Sequence, residues 1–126
     1  MDNDSPVILA GMHRSGTSLI AGFLHRSGID MGETMVAPDS ANPRGYNEDC
    51  GFVEFHTGIL QQVHGSAWYA PAPVICDHEV ETAARALLLE RAGKGRWGWK
   101  DPRTCLFLDL WRKMAPDARF VMVFRN

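Results

Sequence analysis

The stretch Gly11-Met12-His13-Arg14-Ser15-Gly16-Thr17-Ser18 carries the clearest chemical capability in this chain. Its spacing fits the phosphate-binding loop G-x-x-x-x-G-K-[ST] at every position but one, since Thr17 stands where the lysine would be. The physics of anion binding survives that substitution. Backbone N–H groups of such a loop and the free amides at the start of the next helix converge on one point, where the helix dipole favours negative charge. The hydroxyls of Ser15, Thr17 and Ser18 add donors, and Arg14 offers a cation in place of the missing lysine. Anion binding is the expected task of this segment.

Two absences narrow the kind of anion. A nucleoside-triphosphate hydrolase or kinase needs an acidic residue, usually after an apolar strand, to hold Mg²⁺. Here the apolar run Phe120–Phe124 ends in Arg125, and the nearest acid, Asp101, follows Lys100 on a tryptophan-bearing strand. Missing lysine and missing strand-end acid speak against metal-assisted phosphoryl chemistry. They suit a phosphosulfate, whose transferring group carries less charge and is neutralised by basic side chains alone. No metal is expected.

The elements that must position these residues read as an α/β pattern. Val7–Ala10 is a continuous apolar run, the mark of a strand buried on both faces. A helix is predicted over about 17–27, with Leu19, Ile20, Phe23 and Leu24 on one stripe and Gly28 as its C′ residue. Residues 29–49, rich in Gly, Pro, Asp and Asn, read as an extended loop of the kind that is usually functional or disordered. Further helices are predicted over about 50–63 and 77–91, the latter with Asp77 as a possible N-cap, and residues 65–76 connect them. Arg96–Lys100 is a second strand, 103–114 a helix with Leu106, Leu110 and Trp111 as core stripe, and Phe120–Phe124 a third strand. Alternating strands and helices predict a single three-layer α/β/α domain over residues 1–126, with a mainly parallel sheet of the P-loop NTPase type.

Composition bounds the partners. A net charge of −2 gives no reason to expect nucleic acid or an anionic membrane surface, so the anion site must be local. The acidic N-terminus does not read as a secretory signal, and no window approaches the roughly 18 apolar residues of a membrane span. Cys50, Cys76 and Cys105 match neither a disulfide framework nor a zinc spacing, which favours reduced thiols and a cytoplasmic location.

Four blocks now carry a resemblance. Pro6–Ser18, with a basic residue followed by Ser-Gly-Thr-Ser, resembles the 5′-phosphosulfate loop of the sulfotransferases that use 3′-phosphoadenosine 5′-phosphosulfate (PAPS). Asn42-Pro43-Arg44-Gly45-Tyr46-Asn47-Glu48 and Trp97-Gly98-Trp99-Lys100-Asp101-Pro102-Arg103 resemble two further blocks of sulfotransferase-like proteins. Val121–Arg125 is similar to the strand and first arginine of the motif that binds the 3′-phosphate. In the family a serine follows that arginine a few positions on and shares the phosphate. The resemblance therefore implies that this chain is the N-terminal portion of such a domain, incomplete at its C-terminus. Its final strand is expected to be exposed, with a tendency to self-associate and weak donor binding.

By resemblance the loop residues Ser15, Gly16, Thr17 and Ser18 hold the 5′-phosphate, and Arg14 lies against the sulfuryl oxygens. Lys100, at the C-terminal end of its strand, contacts the bridging oxygen or the sulfuryl group, and Arg125 binds the 3′-phosphate. In-line sulfuryl transfer to a hydroxyl or amine also needs a base. Glu48 is the first choice and His13 the second, because an imidazole beside the loop titrates in a useful range. Asp101 before Pro102 reads as the cap of the following helix, while Arg103 is open between a ligand contact and the surface. His25, His56, His64 and His78 stand apart from any motif and read as surface or core residues. The acceptor is expected to be a small hydroxyl compound or carbohydrate. A P-loop kinase and a non-catalytic nucleotide-binding fragment are the alternatives.

Overall fold

The computed structural model describes residues 5–11, 16–32, 49–66, 70, 73–93 and 95–123. Three short strands, β1 (Val7–Ala10), β2 (Gly98–Lys100) and β3 (Arg119–Met122), form a parallel sheet in the order β2-β1-β3. Ile8 lies opposite both Trp99 and Phe120. The apolar run of β1 is what a central strand requires, and Ile8, Leu9 and Ala10 are fully buried.

Side-chain alternation along β1 divides the core in two. Ile8 joins Phe52, Leu60, Ala84, Trp97, Trp99, Phe107, Leu110 and Trp111 on the face covered by α2 (Cys50–His64), α3 (His78–Arg91) and α4 (Leu108–Met114). Leu9 joins Ala21 and Met31 on the other face, under α1 (Thr17–Arg26). The result is an α/β fold with helices on both faces of a parallel sheet. Among the described residues no helix is long and apolar enough to cross a membrane.

Most element boundaries follow from caps visible in the sequence. Asp77 caps α3 by accepting from the Val80 amide at 2.9 Å, and Asp49 caps α2 by accepting from the Gly51 amide at 2.8 Å. Asp101 caps the segment after β2, again as expected, through the Arg103 amide.

Several expectations need correction. The predicted helix over 103–114 is two pieces, a 3₁₀ helix (Pro102–Leu106) and α4, broken at Phe107. The break lets Phe107 turn its ring into the core beside His56, at 4.6 Å between centroids. In α1 half of the predicted stripe holds, since Ile20 and Leu24 pack against the core, and the other half does not. Leu19 and Phe23 are 59% and 56% exposed, and the helix instead presents Thr17, Ala21 and Gly22 to the sheet. Small residues let its axis approach closely, and Arg26 lies over the outward Phe23 ring at 5.1 Å. The third strand reads as an apolar run like β1, yet among the described residues it is an edge strand, its four residues half-buried or exposed, which agrees with the exposure expected of the final strand. The second strand is shorter than predicted, with Trp97 outside it. Asp30, read as loop, forms a parallel bridge with Trp97 that widens the sheet. Its backbone accepts from Gly98 at 2.9 Å and donates to Arg96 at 3.0 Å.

Candidate anion-binding site

All three strands point the same way, so their C-terminal ends share one edge, where α/β sheets bind ligands. Gly11 follows β1 there and Lys100 ends β2. Gly16, at φ 93°, N-caps α1 in the left-handed region that glycine enters without steric cost. Among the described residues no side chain caps the start of this helix. Thr17 is buried and Ser18 half-buried in its first turn.

Lys100 reaches this turn from the neighbouring strand. Its Nζ lies 3.4 Å from Ser18 Oγ, long for a hydrogen bond, and the residue is only 3% exposed. A helix N-terminus repels a cation. An ammonium buried against one adds a second source of positive potential at the same point, which suits an anion.

Of the predicted site residues, the structure therefore brings together Gly16, Thr17, Ser18 and Lys100. His13, Arg14, Ser15, Glu48 and Arg125 lie outside the described residues. Among the described residues no group of three or more His, Cys, Asp or Glu is placed to hold a metal ion.

Behind Lys100 lies a polar cluster that the sequence reading did not assemble. Asp101 Oδ2 is 2.8 Å from His56 Nδ1, and Trp111 Nε1 donates to His56 Nε2 at 2.9 Å. Asp101 Oδ1 accepts from Arg103 Nη1 at 2.7 Å and from the Arg103 amide at 3.2 Å. His56, Asp101 and Trp111 are fully buried and Arg103 nearly so. Arg103 thus turns into the interior and not to the surface. Burial alone pushes the Asp101 carboxyl up, but the hydrogen bond from His56 and the nearby Arg103 charge outweigh it and hold the group below its ordinary range. The sequence signal was the Trp-Lys-Asp-Pro-Arg run, but nothing in it named His56, 45 positions away, as the partner.

The other end of the sheet is built differently. Helix α2 runs along β2 in the strand direction, since Phe52 stacks on Trp99 at 3.8 Å while His56 meets Asp101 beyond the strand's end. Asp49, one turn before Phe52, is consequently remote from Lys100. Its carboxylate is fully buried, with Arg91 Nη2 at 2.7 Å from Oδ1 and 2.6 Å from Oδ2. The guanidinium proton is aimed at Oδ1, so Oδ2 has charge contact without a well-angled hydrogen bond. Burial pushes the Asp49 carboxyl above its ordinary range despite Arg91 and the helix amides. A groove of about 250 Å³ opens at this same end, lined by Pro6, Leu88, Trp97, Met114 and Pro116 among others.

Comparison of the chain with protein-family models, with curated proteins and with solved structures gave no match.

Proposed function

We propose that this chain is the donor-binding part of a sulfotransferase, which moves a sulfuryl group from PAPS to an acceptor hydroxyl or amine. The observation that carries the reading is the buried Lys100 ammonium against the first turn of α1. This cation stands on the neighbouring strand, not at the loop position Thr17. It is suited to the oxygen that bridges phosphate and sulfur, where charge develops as the S–O bond breaks. The amides and hydroxyls from Gly16 to Ser18 suit the 5′-phosphate of the same donor, the group left behind. Arg14 and Ser15 complete this cradle by resemblance, and Arg125 takes the 3′-phosphate.

The acceptor proton requires a base at the same edge. Glu48 is the first candidate for this base and His13 the second; both lie outside the described residues.

The test is sulfuryl transfer from radiolabelled PAPS to a panel of hydroxyl and amine acceptors. Lys100→Ala and Arg14→Ala should each lower turnover by roughly 10²-fold or more, the scale of one lost oxyanion-type contact. Glu48→Gln should lower turnover strongly with donor affinity nearly intact, and near-normal turnover in Glu48→Gln beside a loss in His13→Gln would give the role to His13. Phosphoryl transfer from ATP with a strict Mg²⁺ requirement, in place of sulfuryl transfer, would replace this reading with a kinase.

A further inference from the structure

The cluster behind Lys100 has one hydrogen-bonding direction. An indole nitrogen only donates, so Trp111 Nε1 at 2.9 Å requires a lone pair on His56 Nε2. The imidazole is then neutral with its proton on Nδ1, and it donates to Asp101 Oδ2 at 2.8 Å. The other carboxylate oxygen is occupied by the Arg103 amide and guanidinium. Helix α2, braced through His56 by Trp111 of α4, and the 3₁₀ helix thus hold one buried carboxylate between them.

That carboxylate is one peptide bond from Lys100. Successive side chains of a strand point to opposite faces, and β2 obeys this rule. Trp99 stacks on Phe52 of α2, Lys100 reaches Ser18 of α1, and Asp101, continuing in extended backbone at φ −151° and ψ 122°, returns to α2. Turning Lys100 away from the anion site means rotating the backbone that Asp101 pins. Asp101 cannot rotate without breaking its bonds to His56 and Arg103.

We infer that His56, oriented by Trp111, is a positioning residue: acting through Asp101, it aims the Lys100 ammonium at the anion site from the opposite face of the sheet. The inference deepens the functional reading given above and rests on it for the identity of the anion. Its physical content, coupling between His56 and Lys100, does not depend on which anion binds.

Two substitutions separate aiming from packing. His56→Asn keeps an N–H where Nδ1 now stands and so keeps the bond to Asp101. His56→Gln reaches Trp111 with its carbonyl oxygen but offers Asp101 nothing. Calorimetric titration with adenosine 3′,5′-bisphosphate and, separately, with inorganic pyrophosphate reads the consequence. His56→Gln is expected to weaken binding by about tenfold, the lower end of what losing an outer-shell partner costs at metal sites. His56→Asn should stay within about threefold of the wild type, and in a Lys100→Ala background His56→Gln should add nothing, as coupled residues do. Equal losses from Asn and Gln, no loss from either, or effects of His56→Gln and Lys100→Ala that simply multiply would overturn the inference.

The two arms also separate its failure from that of the functional reading. Pyrophosphate binding that shows the coupling, beside a bisphosphate that binds no better than ATP, removes the sulfotransferase and keeps the positioning role. If neither anion binds the wild type, both fall. Should the His56 variants not fold, ¹⁵N spectra of the wild-type imidazole decide the premise. The Nδ1-protonated tautomer supports it, and an Nε2-protonated or doubly protonated ring overturns it.

Discussion

Replacing Asp101 by asparagine preserves the shape of the side chain but exchanges one acceptor for a donor, and the surroundings leave that donor nowhere to point. Facing Arg103, the new NH₂ group meets an amide at 3.2 Å and a guanidinium at 2.7 Å, both donors. Facing His56, it forces the imidazole proton onto Nε2, where Trp111 already donates. All of these groups lie in the interior, where water cannot substitute. Breaking a buried ion pair costs about 3–5 kcal/mol, and a buried donor left unsatisfied costs about 1–3 kcal/mol. The two overlap here, so the expected loss is about 3–5 kcal/mol, against the roughly 5–15 kcal/mol that holds a typical domain. Urea denaturation followed by tryptophan fluorescence should show a lower midpoint at an unchanged slope. Asp101→Ala, which leaves the His56 and Arg103 donors without any acceptor, should be at least as damaging. A loss under about 1 kcal/mol for Asp101→Asn would refute the donor and acceptor assignment.

The same assay checks three further expectations. A Cβ at Gly98 would stand 2.1 Å from the Val7 carbonyl oxygen, so Gly98→Ala should prise β2 from β1 and cost about 3 kcal/mol or more; a wild-type midpoint would contradict this. Leu19→Ser, on the exposed side of α1, should change stability by no more than about 0.5 kcal/mol, whereas Leu9→Ala in the core should lose about 2–5 kcal/mol. The buried carboxyls should show opposite pH dependence. Asp101 has a folded pKa below its ordinary value of 3.8, so its contribution is present above about that pH and is lost as pH falls through the folded value. Asp49 is raised above 3.8, so the folded state holds its proton longer and stability falls as pH rises through that window. Urea midpoints of Asp101→Ala and Asp49→Asn between about pH 3 and pH 6 should diverge from wild type in these opposite senses.

The central strand, the capped helices and the glycine-bearing turn into α1 were legible in the sequence because each rests on local chemistry. The apolar run Val7–Ala10, the caps Asp77 and Asp101, and the glycines bracketing the loop act within a few residues of themselves. What the sequence misled on depends on partners distant along the chain. Leu19 and Phe23 have helical spacing, yet α1 turns Thr17, Ala21 and Gly22 inward, because close approach to the sheet outweighs burial of the larger side chains. The apolar run Phe120–Phe124 does not by itself say that its strand lies at the edge of the sheet. Asp30 gave no strand signal, since its pairing with Trp97 is backbone to backbone. Arg103 and His56 were hardest to read, for a buried arginine and histidine look like any others until their carboxylate is found.

Equilibrium binding of nucleotides most directly tests the claim that Lys100 and the first turn of α1 hold a phosphosulfate donor. The chain should be titrated calorimetrically with adenosine 3′,5′-bisphosphate and with ATP, each with and without Mg²⁺. The bisphosphate should bind at least about tenfold tighter than ATP, a difference of roughly 1.4 kcal/mol, with no dependence on the metal. Lys100→Ala should weaken its binding. ATP binding as tight or tighter, and only with Mg²⁺ present, would contradict the account.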